Sequence, residues 1–153
     1  MRIAEAVALN SRCLSRQIGV VLARCNFILS TGYNGPPIGI AHCKERYGQC
    51  RKRKAGFGSG EGTHLCPAAH AEGNAIVIAA RNGIHVEGAT MYCTCPTPCR
   101  ECAKYIINAG IKEVIVPDLT VYESEGELSG RDLLMEAKIV LRLPNKGEEV
   151  YSG

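Results

Sequence analysis

The sequence predicts an α/β layered fold with a partly parallel sheet. Segments of helical and of strand period alternate along the chain, and 153 residues at 46% hydrophobic content suffice for one full core but leave little for a second. No internal repeat or low-complexity stretch breaks the pattern. A single domain over residues 1–153 is expected.

Ile3 and Val7, with Ala6 and Leu9, share one face of an opening helix over residues 2–9, leaving Arg2, Glu5 and Asn10 for solvent. Ile18 to Leu22 and Phe27 to Ser30 are short β-branched or aromatic runs, read as antiparallel strands joined by a tight turn at Arg24, Cys25 and Asn26. Gly32-Tyr33-Asn34-Gly35-Pro36-Pro37 punctuates the chain. From there to about Leu65 periodicity disappears, and a long irregular insertion, centred on residues 41–66, is expected. Loops of that length in a compact domain are usually functional or tied down. Order resumes at His70, where Ala71, Ala75, Ile76, Ile78, Ala79 and Ala80 make an almost wholly apolar helix, expected to be buried on most sides and to end at Asn82-Gly83. Thr90 to Thr94 reads as a strand, Cys99 to Ala109 as a helix closed by Gly110, and Glu113 to Val116 as a strand before Pro117. Ser129 fits an N-cap for a helix over Gly130 to Glu136, and Ile139 to Leu143 makes the last strand.

A net charge of +3 is too mild for a dedicated nucleic-acid surface, though a small anionic substrate remains compatible. No apolar run is long enough for a membrane span, and the start lacks the order of a signal peptide, so a cytoplasmic protein with no membrane partner is expected. Nine cysteines cannot all pair, and in a reducing compartment metal ligation is the better explanation.

His70-Ala71-Glu72, followed by Pro98-Cys99-Arg100-Glu101-Cys102, carries the chemistry. His70, Cys99 and Cys102 fall one short of a closed tetrahedron, and an open zinc position is where water is activated. Cys99 and Cys102 lie three apart at a helix start, where the dipole favours thiolate. Glu72, two residues from His70, points away from the histidine direction and is placed to serve water rather than ligate. Mixed nitrogen and sulfur ligands favour zinc. A noncatalytic zinc site is the competing reading, and Glu72 weighs against it.

Cys43, Cys50, His64 and Cys66 crowd the insertion and Cys13 follows the first helix. A second, structural zinc held by four of these five would staple the loop. Arg51-Lys52-Arg53-Lys54 reads first as a solvated face, with nucleotide phosphate or a neighbouring subunit as the alternative. Gly56, Gly58, Gly60 and Gly62 suggest mobility rather than a phosphate-binding motif.

His-x-Glu with Pro-Cys-x-x-Cys is the pattern of zinc deaminases acting on nucleobases. With Gly19-Val20-Val21, Ser30-Thr31-Gly32-Tyr33-Asn34-Gly35, Asn74-Ala75-Ile76, Thr90-Met91-Tyr92 and Ala109-Gly110-Ile111, the chain resembles the cytidine and deoxycytidylate deaminase superfamily, and within it the dCMP deaminases. The resemblance implies a three-layer α/β/α sandwich with a central mixed sheet of about five strands. It also implies hydrolysis of dCMP to dUMP and ammonia for thymidylate synthesis, usually in a homohexamer, with dCTP activating and dTTP inhibiting many members. By position, Asn34 corresponds to a deoxyribose contact, and the loop Gly32, Tyr33, Asn34, Gly35 lies near substrate and any allosteric nucleotide. Arg16 falls where phosphate could be bound, and Tyr122 where a base could be stacked upon. Some relatives carry a second zinc with cysteines resembling Cys13 and Cys43. Two departures stand out: Thr94 to Cys99 is one residue longer than usual, bringing Cys95 toward the metal, and Gly73 replaces a larger residue. Other readings are a deaminase of another base, in a nucleoside or in tRNA, and a zinc-stabilised nucleotide-binding module without turnover.

Overall fold

A computed structural model of the chain describes residues 1–58 and 60–144, so the expected domain is seen as far as Pro144 and its remainder lies outside the described residues. Helix α1 (Arg2–Ala8) precedes a hairpin of β1 (Gly19–Arg24) and β2 (Phe27–Tyr33). Cys25 and Asn26 at the turn both take positive φ, 50° and 66°, as a two-residue turn matched to strand twist requires. Next come α2 (Cys43–Tyr47), α3 (Arg51–Lys54), a single 3-10 turn at Thr63–Leu65, and α4 (Ala71–Arg81). The remaining elements are β3 (Thr90–Cys93), α5 (Arg100–Asn108), β4 (Glu113–Ile115), α6 (Gly130–Glu136) and β5 (Val140–Arg142).

The sheet is mixed, with order β2-β1-β3-β4-β5: β1 is antiparallel to both β2 and β3, while β3, β4 and β5 are parallel. Register aligns Leu22, Met91, Val114 and Leu141 in one row across four strands, and all four are fully buried. Ala75 and Ala79 of α4, Ala103 and Ile106 of α5 and Leu134 of α6 pack on that face. Removing a side chain such as Met91 from this row would cost about 2–5 kcal/mol. The opposite face receives α1. Two glycines make the close approaches: a Cβ on Gly19 would lie 2.1 Å from the Ala4 carbonyl oxygen in α1, and one on Gly32 would lie 2.4 Å from that of Ala71 in α4. Because Val20, not Gly19, pairs with Gly32, the two glycines face opposite sides, and the molecule is a three-layer α/β/α sandwich.

Three sequence expectations are corrected. The β2 strand continues three residues beyond Ser30, because Thr31, Gly32 and Tyr33 pair with Val21, Val20 and Gly19. The insertion is not wholly irregular but holds α2, α3 and the 3-10 turn, none with a fully buried residue and hence none with an apolar period to read. Helix α4 is not buried on most sides, since Val77 and Ile78 are 64% and 41% exposed: only Ala71, Glu72, Ala75 and Ala79 are fully buried, with Ile76 partly buried against the core. Among the described residues no helix is long and apolar enough to cross a membrane.

Candidate active site

The chain ends that meet at one edge of the sheet are those a site needs. The carboxyl end of β3 lies beside the start of β1, because the two strands are antiparallel; ligands in open α/β sheets gather at such carboxyl ends. Gly19 N–H donates to Thr94 Oγ1 (2.9 Å) and Thr94 N–H to the Gly19 carbonyl (3.0 Å), which locks the β3 exit against β1. Helices α4 and α5 start at this edge. His70 and Cys99 are their N-caps, both extended in backbone, rather than residues inside the helices.

From those caps His70 Nδ1 comes within 3.3 Å of Cys102 Sγ and 3.4 Å of Cys99 Sγ. An ion with zinc–nitrogen and zinc–sulfur bonds at tetrahedral angles separates such donors by about 3.5 Å, so the three atoms already fit zinc. The electrostatics fit as well. Cys99 is pulled down to about 4 by a hydrogen bond from the Cys102 thiol, then by His70 and the Cys102 backbone N–H, so it is a thiolate at neutral pH. Cys102 is pushed up by the same hydrogen bond and by burial, and holds the shared proton. The hydrogen bond with Cys99 raises the His70 imidazole against the opposing effect of burial.

Glu72, in the first turn of α4, is 4% exposed. Burial raises its carboxyl group above the ordinary value, with the His70 charge opposing. It does not join the His70–Cys99–Cys102 cluster; it belongs to a second group with Cys93 and Cys95. The Cys95 thiol donates to Glu72 Oε1 (3.5 Å), and Cys93 Sγ lies 2.8 Å from Cys95 Sγ. Cys95, four residues before Cys99, thus lies against the acid.

The other sequence-predicted residues occupy the same edge. Asn34 is buried and stitches it together: its Oδ1 accepts from Ile18 N–H (2.8 Å), and its Nδ2 donates to the Arg16 carbonyl (2.9 Å). Arg16 Nη1 donates to Tyr122 Oη (2.9 Å). Tyr122 is half-buried, and burial and nearby Cys95 push its hydroxyl up to about 12. Asn74 Nδ2 donates to the Tyr33 carbonyl (2.8 Å), fastening the Gly32–Gly35 loop to α4. In the insertion, Cys66, Cys50 and Cys13 all act on Cys43, whose thiol is raised by burial first and then by these neighbours. Ser15 N–H donates to Cys13 Sγ (3.4 Å). His64 instead packs edge-on against Phe57, with ring centroids 6.0 Å apart.

Two positioning contacts escaped the sequence reading. A Cβ on Gly130 would lie 2.0 Å from the Pro98 carbonyl oxygen, so α6 butts directly against the peptide that carries Cys99. The Ser129–Asp132 capping box announces that helix in sequence, but not what its first residue touches. Glu123 Oε1 accepts from Arg100 N–H (2.6 Å) and ties the segment bearing Tyr122 to the start of α5. A carboxylate near a helix start is visible in sequence only when it is local, and this one is 23 residues away.

The family model for the cytidine and deoxycytidylate deaminase zinc-binding region matches residues 1–117. A deoxycytidylate deaminase of Schizosaccharomyces pombe is 36% identical over 93% of this chain, and the chain spans 42% of that protein's length. The deoxycytidylate deaminase of Enterobacteria phage T4 is also 36% identical, over 75% of this chain and 74% of its own. The dCMP deaminase of cyanophage S-TIM5, solved in complex with dCMP and dUMP, superposes with a TM-score of 0.70 at 25% identity over 94% of this chain and 92% of that one. A His/Cys/Cys cluster beside a buried glutamate, carried on this sandwich by a sequence with those relatives, makes the chain a member of the cytidine and deoxycytidylate deaminase family.

Proposed function

We propose that this protein hydrolyses dCMP to dUMP and ammonia, with zinc held by His70, Cys99 and Cys102 and with Glu72 as the proton carrier. The observation that carries the reading is the three-donor cluster, one ligand short of a structural site, beside a buried acid of raised pKa. When bound, zinc supplies a nucleophile of hydroxide strength at neutral pH and a charge to offset the one developing on the base. Glu72 takes one proton from the attacking water and delivers it to the ring nitrogen, then takes the second from the hydroxyl so formed and delivers it to the amino group, so that the carbon–nitrogen bond breaks with ammonia as leaving group. Burial suits the carboxyl group to both halves of that exchange, because it lessens the difference in proton affinity between acid and substrate. Asn34 is the deoxyribose contact, having one further donor and one further acceptor beyond its two backbone bonds. Tyr122 lines the base and Arg16 the phosphate.

A second zinc, held by Cys13, Cys43, Cys50 and Cys66, staples the insertion; the interaction of the other three with Cys43 and the engagement of His64 with Phe57 support this choice among the five. The protein is a cytoplasmic homo-oligomer, probed best as a hexamer, that supplies dUMP for thymidylate synthesis. The Gly32–Gly35 loop answers dCTP and dTTP. Incubating zinc-loaded protein with dCMP, deoxycytidine and tRNA, with and without dCTP, and measuring ammonia and product tests the activity. Release from dCMP is expected, and tight binding without product would overturn it.

A further inference from the structure

Cys93 and Cys95 stand outside the His70–Cys99–Cys102 cluster and form a buried group with Glu72, their donor atoms all within 4.8 Å of one another. A buried free cysteine is ordinarily a small, inert hydrophobe. Spacing argues against an ion shared by these two thiols: sulfurs bound to one zinc at about 2.3 Å lie about 3.8 Å apart, whereas Cys93 Sγ and Cys95 Sγ are 2.8 Å apart. What the group has instead is a directed chain of hydrogen bonds. An ionised carboxylate has no hydrogen to give and a thiol has one. The bond from Cys95 Sγ to Glu72 Oε1 (3.5 Å) therefore uses the hydrogen of Cys95, and Cys93 donates in turn to the Cys95 sulfur.

The backbone carrying Cys95 is held from both sides. Cys93 ends β3 and pairs with Val20 of β1, and Thr94 exchanges two hydrogen bonds with Gly19, through its hydroxyl and its N–H. After Cys95 come Pro96, Thr97 and Pro98, all buried, with a proline fixing φ on either side of the threonine. Gly130 then meets the Pro98 carbonyl and closes the segment against α6. The acid has no such restraint of its own. The terminal torsion of a glutamate is broad, so Glu72 on a fixed helix can still turn its two oxygens.

We infer that Cys95 is a positioning residue for the proton carrier, a role that rests on the dCMP reading above: its thiol holds Glu72 Oε1, so that Oε2 is the oxygen turned to the attacking water and the one that carries the proton. Proton transfer depends on hydrogen-bond geometry, and a support that fixes the base in one orientation lowers the barrier without tightening substrate binding. The gain falls on kcat and not on KM.

The test compares zinc-loaded wild type with Cys95→Ala, Cys95→Ser and, as a control, Cys25→Ser at the exposed hairpin turn. Cys95→Ala should lower kcat for dCMP by about threefold to thirtyfold, the range for one hydrogen bond from a weak donor to a charged acceptor. KM should change by less than about twofold and the zinc content should be unaltered. Cys95→Ser keeps a donor in place and should restore most of the loss, and Cys25→Ser should match wild type. An unchanged kcat in Cys95→Ala, an effect on KM alone, or equal losses in the Ala and Ser variants would overturn the role. The hydrogen bond itself is read in folded wild type from the S–H stretching band that Cys95→Ser removes. Taking away the acceptor in Glu72→Ala should move that band to higher frequency, and an unmoved band would overturn the contact even if Cys95→Ala did not fold. Absence of dCMP turnover by wild type would instead overturn the proposed reaction, so the two failures are distinguishable.

Discussion

Two of the cysteine groups in this molecule are built to opposite specifications. At the catalytic edge, His70, Cys99 and Cys102 project from the starts of α4 and α5, helices that pack Ala71, Ala75, Ala79, Ala103 and Ile106 into the core. In the insertion, Cys43 opens α2, Cys50 caps α3, and Cys66 follows a 3-10 turn, none of which contributes a fully buried residue. The first group is held by the fold and has an acid beside it. The second has four thiols, no packed scaffold and no such acid, a composition that suits the proposed closed site. Donor number and the presence of a proton carrier, rather than cysteine content, separate chemistry from stapling.

The contrast can be tested first at the acid. Glu72→Gln should reduce turnover of dCMP by about 10²- to 10⁴-fold while the zinc content is unchanged; loss of zinc together with activity would mean that Glu72 is a ligand. The corresponding change in the insertion, Cys66→Ser, should do the reverse: bound zinc falls from two equivalents to one and the melting temperature drops, while the kcat of remaining folded protein stays within severalfold. One equivalent in the wild type would remove the insertion metal.

Acidification should also tell the groups apart. Cys99 is already ionised above about pH 4, whereas zinc entry at the catalytic edge must displace protons from Cys102 and, below its raised pKa, from His70. Affinity there should fall as pH falls, by about tenfold per unit for each proton displaced. Cys43 is raised by burial and then by Cys66, Cys50 and Cys13, and the insertion offers four thiol donors instead of two, so its ion should be lost more steeply on titration from pH 8 downward, as read by a zinc indicator.

Smaller effects probe the scaffold. Gly130→Ala must push its Cβ against the Pro98 carbonyl and shift Cys99, costing about 1–3 kcal/mol of stability and weakening catalytic zinc; the insertion zinc should be unaffected. Gly73→Ala is the converse. No atom lies within 4 Å of the added Cβ, so the helix should gain about 0.5–1 kcal/mol and the melting temperature should rise by a few degrees in calorimetry.

Much of the architecture was legible because it is local. Alternating periods located every core strand and helix, and Ser129 marked the start of α6 to the residue. The His70-Ala71-Glu72 and Cys99-to-Cys102 spacings are likewise short enough to read directly. The one-turn helices of the insertion were not, since four or five residues with no buried face have no period.

By itself the amino-acid sequence determined the alternation of elements, the donor types and the presence of an acid two residues from a histidine, because each depends on chemistry within a few residues. Only the tertiary structure decided that the caps of two helices meet within about 3.4 Å, that Glu72 sits beside Cys95 instead of among the ligands, and that Gly130 of α6 abuts the Pro98 peptide. These are relations between segments as much as 106 residues apart, as for Arg16 and Tyr122, and no local propensity encodes a distance across a folded core.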